Sequence, residues 1–260
     1  MRGKVSIFLL AGLVVSLCVL TTLAQGEEQK AQLGLLIEVK VKPTKVNEHG
    51  KIIKEMVTKD TKFNLDYAYY TYYDNHFHTY FVLPLKNYGD WDNYIAAWDK
   101  VAEKMGLEKH QDLYKRFADT YEYYKWAFYY YRPELSYNPE NPRLKPEEGK
   151  FSLWDIMYVK PGKEGEVEAI FKELFALAKS KNISEQWRMF TGDIGTEQPV
   201  YMGVGYAKDS ADFFSNNRKM WEALGKEGSV LYQKLMPLLR KRESKRVWHS
   251  PEHSYIPKEK

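Results

Sequence analysis

The sequence has almost no cysteine: Cys18 is the only one, and it falls inside an apolar N-terminal run. Without thiol pairs there is no disulfide framework and no thiolate zinc site, so stability must come from packed cores. Familiar catalytic signatures are missing too. There is no Gly-x-x-x-x-Gly-Lys phosphate loop, no Gly-x-Gly-x-x-Gly turn, no His-Glu-x-x-His and no Gly-x-Ser-x-Gly elbow. Charge of one sign is scarce, with 39 Lys+Arg against 35 Asp+Glu and a formal net charge of +4. Nucleic-acid binding calls for a domain-wide basic excess, so no nucleic-acid partner is expected. The local cluster Arg240-Lys241-Arg242 and Lys245-Arg246 reads as a solvated helix face.

What is present begins with a secretory signal pattern. Arg2 and Lys4 precede an apolar run over 5–20, and Thr22-Leu23-Ala24 puts small residues where a signal peptidase would cut. The run is about 16 residues, short of the roughly 20 that span a bilayer. Cleavage after Ala24 is therefore expected, giving a secreted or periplasmic protein with no stable membrane span. The mature chain would hold 236 residues and no cysteine.

That chain contains a duplication at an offset of 118. Val41-Lys42-Pro43 recurs as Val159-Lys160-Pro161, and without a gap Glu48, Ile52, Lys54-Glu55 and Asn64 meet Glu166, Ile170, Lys172-Glu173 and Asn182. The same offset returns at the end of each copy. Pro133-Glu134-x-Ser136-Tyr137-x-Pro139 meets Pro251-Glu252-x-Ser254-Tyr255-x-Pro257. Between these blocks the register drifts, with Tyr80 set against Tyr201 and Trp98 against Trp221. The expected organisation is a signal over 1–24, a first repeat over 25–137, a Pro-rich linker over 138–150 and a second repeat over 151–257.

Each copy reads as β-α-β-β-α-(α)-β. In copy two, the strand 151–159 breaks at Pro161-Gly162. Val167, Ile170, Phe171, Leu174, Phe175 and Ala178 then form one helical stripe. Strands follow at 183–191 and 200–207. A helix opens at Asp209 or Ser210 as its cap, and a further helix over 230–242 is broken or kinked at Pro237 before a last strand at 245–250. Copy one gives strands at 35–41, 65–73, 78–86 and 126–132, with helices at 48–59, 91–104 and 111–124. This is α+β of the split βαβ, ferredoxin-like kind. Such a sheet is covered by helices on one face only, so the bare face needs a partner. A second copy in the same chain supplies one, giving an intramolecular pseudo-dimeric α/β barrel.

The order β-α-β-β-α-β, the duplication and the aromatic strands Tyr67–Tyr73 and Trp154–Val159 resemble the dimeric α/β-barrel superfamily in its fused two-repeat form. The resemblance covers almost all of the mature chain but singles out no family within the superfamily. It implies a small hydrophobic or aromatic ligand held between sheet and helices. It also brings small cofactor-free monooxygenases and haem-handling proteins into view, without fixing the function.

Candidate site residues follow from chemistry. His249, beside Trp248 on the last strand, could serve as a general base or an axial haem ligand; its counterpart one repeat earlier is Tyr131. Arg132 and Arg188 sit on expected strands and need anionic partners. Those could be a carboxylate ligand or, inside the protein, Asp155 or Glu38. Trp187 and its counterpart Tyr69 would give an aromatic wall beside Arg188. His76 and His78 read as an exposed hairpin end without a third metal ligand, His253 as part of a structural lid, and His49 and His110 as surface residues. No metal and no resident cofactor are expected, haem being the alternative. The reading is an exported protein that binds a small aromatic or amphipathic molecule, in an enzyme of cofactor-independent monooxygenase type if it is catalytic. The alternative is a non-catalytic interaction or structural protein of the cell envelope. Whether it is an enzyme is left open by the sequence.

Overall fold

The computed structural model describes residues 32–145 and 148–258, so the expected signal segment lies outside the described residues. The first repeat runs β1 (Leu33–Val41), α1 (Val46–Phe63), β2 (Tyr70–Tyr73), β3 (His78–Leu85), α2 (Gly89–Met105), α3 (Leu107–Ala118) and β4 (Tyr121–Tyr131). The second runs β5 (Phe151–Val159), α4 (Glu164–Ser180), β6 (Trp187–Gly192), β7 (Val200–Ala207), α5 (Ser210–Leu235) and β8 (Leu239–His249).

Local chemistry explains where elements begin and end. Asn64 and Asn182, one offset apart, both take positive φ, 54° and 51°, just past α1 and α4. Asparagine tolerates this left-handed geometry better than most residues, so its recurrence reflects the same helix stop in both copies. At the start of α5 the Asp209 carboxylate accepts the Asp212 backbone N–H at 2.8 Å, the expected cap. Inside α5, Gly225 leaves helical geometry at φ 61° and breaks the helix.

Two expected helices end early. The helix expected over 230–242 stops at Leu235; a short turn, Met236–Leu238, holds Pro237, and the chain is extended from Leu239. Likewise α3 ends at Ala118 and β4 starts at Tyr121, so β4 and β8 are 11-residue strands that pair along the whole of β1 and β5. The basic cluster 240–246 therefore lies on a strand, not on a helix face. There the side chains alternate, and Arg242 points outward to Asp155 while Lys245 points inward to Glu38.

Among the described residues, eight strands lie antiparallel to their neighbours and close one barrel in the order β1-β3-β2-β8-β5-β7-β6-β4. The repeats join at two short seams. One pairs Tyr72 with His249 and Tyr73 with Trp248; the other pairs Tyr129, Tyr130 and Tyr131 with Gly192, Thr191 and Phe190. Closure removes the exposed sheet edges each half would carry alone. The five helices cover the outside. Leu33, Leu35, Leu83 and Leu85 pack outward with Tyr94, Ala97 and Val101 in copy one. Val159, Val167, Phe171 and Leu231 do the same in copy two. Tyr80, Tyr129, Trp154, Ile156, Met202 and Val247 fill the barrel itself.

Pairing corrects one sequence match. Glu38 faces Tyr80 while Ile156 faces Met202, so Met202 is the counterpart of Tyr80. Tyr201, matched to it by identity, lies in the outer layer, where its hydroxyl donates to Glu168. The extra residues sit in the longer β6–β7 turn.

The repeated Pro-Glu-x-Ser-Tyr motif is a reciprocal latch. In copy one the backbone N–H of Met189 donates to the Ser136 hydroxyl at 2.8 Å, and Tyr137 donates to the Ile183 carbonyl at 2.8 Å. One offset on, the Thr71 N–H donates to Ser254 at 2.9 Å, and Tyr255 donates to the Leu65 carbonyl at 2.9 Å. Each tail thus docks on the other repeat. Two residues between the repeats are also fastened: Arg143 pairs with Glu185 and Asp212, and Leu144 packs on Phe151.

The β6–β7 turn is closely fitted to β4. Asp193 N–H donates to the Phe128 carbonyl, and the Phe128 N–H to the Ile194 carbonyl, both at 2.9 Å. Gly195 has φ 87°, and a Cβ there would stand 2.3 Å from the Trp126 carbonyl oxygen. Gly195→Ala is therefore expected to cost at least about 1–3 kcal/mol, read as a lower midpoint in thermal unfolding. An unchanged midpoint would show that the turn can move off β4.

Candidate functional site

Strand alternation sends every second side chain into the barrel, and near one end these do not fill it. A cavity of about 220 Å³ remains there. From the first repeat it is lined by Leu36, Tyr70, Tyr72, Val82, Tyr129 and Tyr131. From the second come Ser152, Trp154, Arg188, Phe190, Val204 and Tyr206. Gln32 and Gly149 stand at the rim, where β1 and β5 begin. The cavity thus lies inside the barrel, not between sheet and helices as the resemblance implied.

The lining is mostly apolar, with a few polar groups at its edge. Burial pushes the Tyr72 phenol up to about 12. Burial raises Tyr206 also, and the Arg188 charge pulls it partly back. The Tyr206 hydroxyl is buried and has no hydrogen-bond partner among the described residues. Among the described residues no carboxylate, imidazole or thiol lines the cavity.

The residues singled out from sequence are not all brought together. Tyr131 and Arg188 line the cavity. His249 also faces inward, opposite Tyr72 with ring centroids 5.2 Å apart, but it stands behind that ring, with Nε2 3.3 Å from the Ser254 hydroxyl. Burial lowers its pKa. Tyr69 and Trp187 lie on the outer face. Tyr69 donates to Asp60 at 2.7 Å, and Trp187 packs on Tyr137 at 4.9 Å. Arg132 is outside the barrel, paired with Glu134 at 2.6 Å and Glu168 at 3.0 Å. Neither Asp155 nor Glu38 partners an arginine from that set; they hold Arg242 and Lys245.

Other histidines differ from expectation. His49 is 1% exposed, stacked on Phe117, with Nδ1 and Nε2 at 2.7 and 3.0 Å from the Thr120 and Thr79 hydroxyls. Burial pushes its pKa down to about 4, so it is a neutral core residue. His110 is half-buried against Tyr114. His78 is not an exposed hairpin end: it belongs to a charged network at the end of the barrel opposite the cavity. There His78 lies 2.9 Å from Asp74, Tyr80 donates to Asp74 at 2.9 Å, and Lys245 reaches Glu38 and the Tyr80 hydroxyl. Burial opposes the charge on Asp74, yet the His78 and His76 N–H groups and the Tyr80 hydroxyl hold its pKa below the ordinary value. No group of described residues has metal-site geometry.

Sequence reasoning missed Tyr206, Trp154, Tyr72 and Ser152. The usable signal was period two along β5: once Trp154 is inward, Ser152 and Ile156 are too. Which parity faces inward is fixed by pairing across the sheet, and hydropathy does not report it because both faces are buried.

Haem does not fit this cavity. No histidine lines it among the described residues, and its volume is below the roughly 300–1,000 Å³ of pockets for larger ligands.

No protein-family model and no curated protein sequence matches the chain. Solved structures do. A candidate monooxygenase from Lactobacillus acidophilus NCFM superposes with TM-score 0.55 at 7% identity, over 87% of this chain and 97% of that one. An anthrone oxidase-like protein gives 0.55 at 12%, over 85% and 92%. Chlorite dismutase from Candidatus Nitrospira defluvii, solved with imidazole, gives 0.50 at 11%, over 85% and 92%. At these identities the likeness is one of fold. Together with the closed barrel and its two equivalent halves, it shows that this chain has the dimeric α/β-barrel fold, with both ferredoxin-like repeats on one polypeptide.

Proposed function

We propose that this protein is exported and binds a small aromatic or amphipathic molecule inside its barrel. The observation that carries the reading is the cavity of about 220 Å³ walled by Trp154, Phe190 and tyrosines. An apolar cavity of roughly 150 Å³ is large enough to admit benzene, so this one suits a single ring with a small substituent. Tyr131 and Arg188 are the expected ligand contacts from each repeat. His249 would act through Tyr72, as a positioning residue.

Oxygenation is the second reading, favoured by the likeness of the fold to candidate monooxygenases and to an anthrone oxidase-like protein. Abstracting a proton from an aromatic substrate needs a base within hydrogen-bond reach. The cavity lining offers phenols with raised pKa and a guanidinium, neither of which is a base near neutral pH. That lining supports binding ahead of acid–base catalysis.

Filling the cavity tests the reading. Saturation-transfer NMR against a panel of single-ring aromatics is expected to show contact with the unaltered protein and none with Val204→Phe, whose extra ring occupies the space. Equal transfer to both proteins would place the binding elsewhere and overturn the assignment.

A further inference from the structure

The barrel end opposite the cavity, where β1 finishes, carries a rim of exposed apolar side chains. Phe77 stands in the β2–β3 hairpin, Tyr123, Tyr124 and Trp126 lie on the first half of β4, and Ile194 is in the β6–β7 turn; all five are exposed. They are neighbours. β1 runs between β3 and β4, with Lys40 set against His78 on one side and Tyr123 on the other, and Lys40 Nζ stands over the Phe77 ring. The Ile194 carbonyl accepts the Phe128 N–H, and Phe128 lies 5.7 Å from the Trp126 ring.

Two observations set this rim apart from ordinary surface. One offset on, Tyr123, Tyr124 and Trp126 become Lys241, Arg242 and Ser244. There Lys241 pairs with Glu243 at 2.6 Å and Arg242 with Asp155 at 2.7 Å. The same strand end in the same fold is thus solvated by ion pairs, so the barrel does not require the aromatic version. The second observation is Phe77, whose φ is 62°. A bulky side chain in this left-handed geometry is strained, and glycine would take it freely. The position nevertheless carries an aromatic ring turned out to water.

A contiguous exposed patch of this kind marks an interaction site. Its composition and shape select the partner. Tyrosine and tryptophan join an apolar ring to a polar tip, the combination that settles at a membrane–water interface. The rings project from a hairpin, a strand end and a turn, so each can sink separately into a soft layer. Lys40 and Lys125 stand among them, and among the described residues neither pairs with a carboxylate: Lys40 donates to the His76 carbonyl, and Lys125 lies over Tyr123. Glu122 is the one acid on the stretch 121–126, and Asp193, next to Ile194, accepts the Tyr88 hydroxyl. We propose that this end of the barrel docks on a lipid surface. Phe77, Tyr124, Trp126 and Ile194 enter the headgroup layer, and Lys40 and Lys125 meet anionic headgroups. Docked this way, the protein keeps the cavity end in water.

Co-sedimentation with vesicles tests this. The unaltered protein is expected to pellet with mixed phosphatidylcholine–phosphatidylglycerol vesicles, and less with phosphatidylcholine alone. Replacing two rings together, Tyr124→Ser with Trp126→Ser, should weaken vesicle binding at least about tenfold. Phe77→Gly separates docking from folding: it relieves the strained φ, so it should melt at the same or a higher temperature and still bind vesicles less. Lys125→Gln should narrow the difference between the two vesicle types. If the unaltered protein pellets with neither vesicle, or the ring variants pellet as well as it does, the lipid assignment is overturned. If the protein sediments as a dimer without lipid and the double variant as a monomer, the rim is an interface between copies of this chain, and the lipid assignment falls.

Discussion

Asp60→Asn is expected to make the protein more stable above neutral pH, by up to about 4 kcal/mol, and to flatten its pH dependence. Asp60 is fully buried on α1; Oδ2 accepts the Tyr69 hydroxyl at 2.7 Å, and Oδ1 has no partner. Burial pushes its pKa up to about 7, the Tyr69 hydrogen bond offsetting only part of the shift. Among the described residues no cation is paired with it. Around it stand Tyr94 from α2, Tyr114 from α3 and Tyr255 from the C-terminal latch. The Asp60 charge acts on all three phenols. Aspartate in an unfolded chain titrates near 4. Between about pH 4 and 7 the folded protein therefore holds a proton that the unfolded chain has released, and stability falls as pH rises, by about 1.4 kcal/mol per unit. Asparagine keeps the acceptor for Tyr69 and cannot ionise. Wild type and variant should match near pH 4 and separate steadily to pH 7. At pH 8 the variant should melt on the order of 10 °C higher. Parallel stability curves for the two proteins across that range would show that Asp60 is not a protonated acid in the folded state.

Trp154→Ala is expected to cost about 3–5 kcal/mol and to admit larger ligands. Trp154 is 4% exposed and forms the floor of the cavity, with ring centroids 5.5 Å from Tyr72 and 5.1 Å from Tyr80. Its removal extends the cavity towards Tyr80, on which the indole packs. A barrel closed by two seams cannot collapse onto that space, so most of the void should persist. Two-ring aromatics that do not bind the unaltered protein should bind the variant, and raise its melting temperature as they do. A variant that melts late and still excludes them would mean the barrel wall repacks, and that Trp154 does not set ligand size.

Much of the architecture was legible in the chain. The 118-residue offset gave two units, and the structure repeats it atom for atom in the latches: Ser136 on Met189, Ser254 on Thr71, Tyr137 on Ile183, Tyr255 on Leu65. The α4 stripe and the Asp209 cap are local facts, so local patterns found them. Misreadings arose where partners decide. Residues 239–245 are mostly charged, which a helix face would also tolerate; pairing with β5 makes them a strand. His49 looked like a helix-start surface residue, but the Thr79 and Thr120 hydroxyls that satisfy both its nitrogens lie about 30 and 71 positions away.

The lining of the candidate cavity was half visible. Arg188 and Tyr131 were found from residue type and repeat position, and both reach the cavity. Tyr69 and Trp187 were chosen by the same reasoning and face the helices. One position along a strand separates the two outcomes, and both faces are apolar, so composition cannot tell them apart.

The sequence by itself determined that there are two equivalent units, their order of elements, and the need of each bare sheet for the other, because those follow from repetition, periodicity and apolar area. Only the tertiary structure decided which side chains share the barrel interior, that a ring-sized space is left among them, and that Tyr206 and Asp60 are buried with an oxygen unsatisfied. Those properties depend on register between strands far apart in the chain, and on the volume left after all of them have packed.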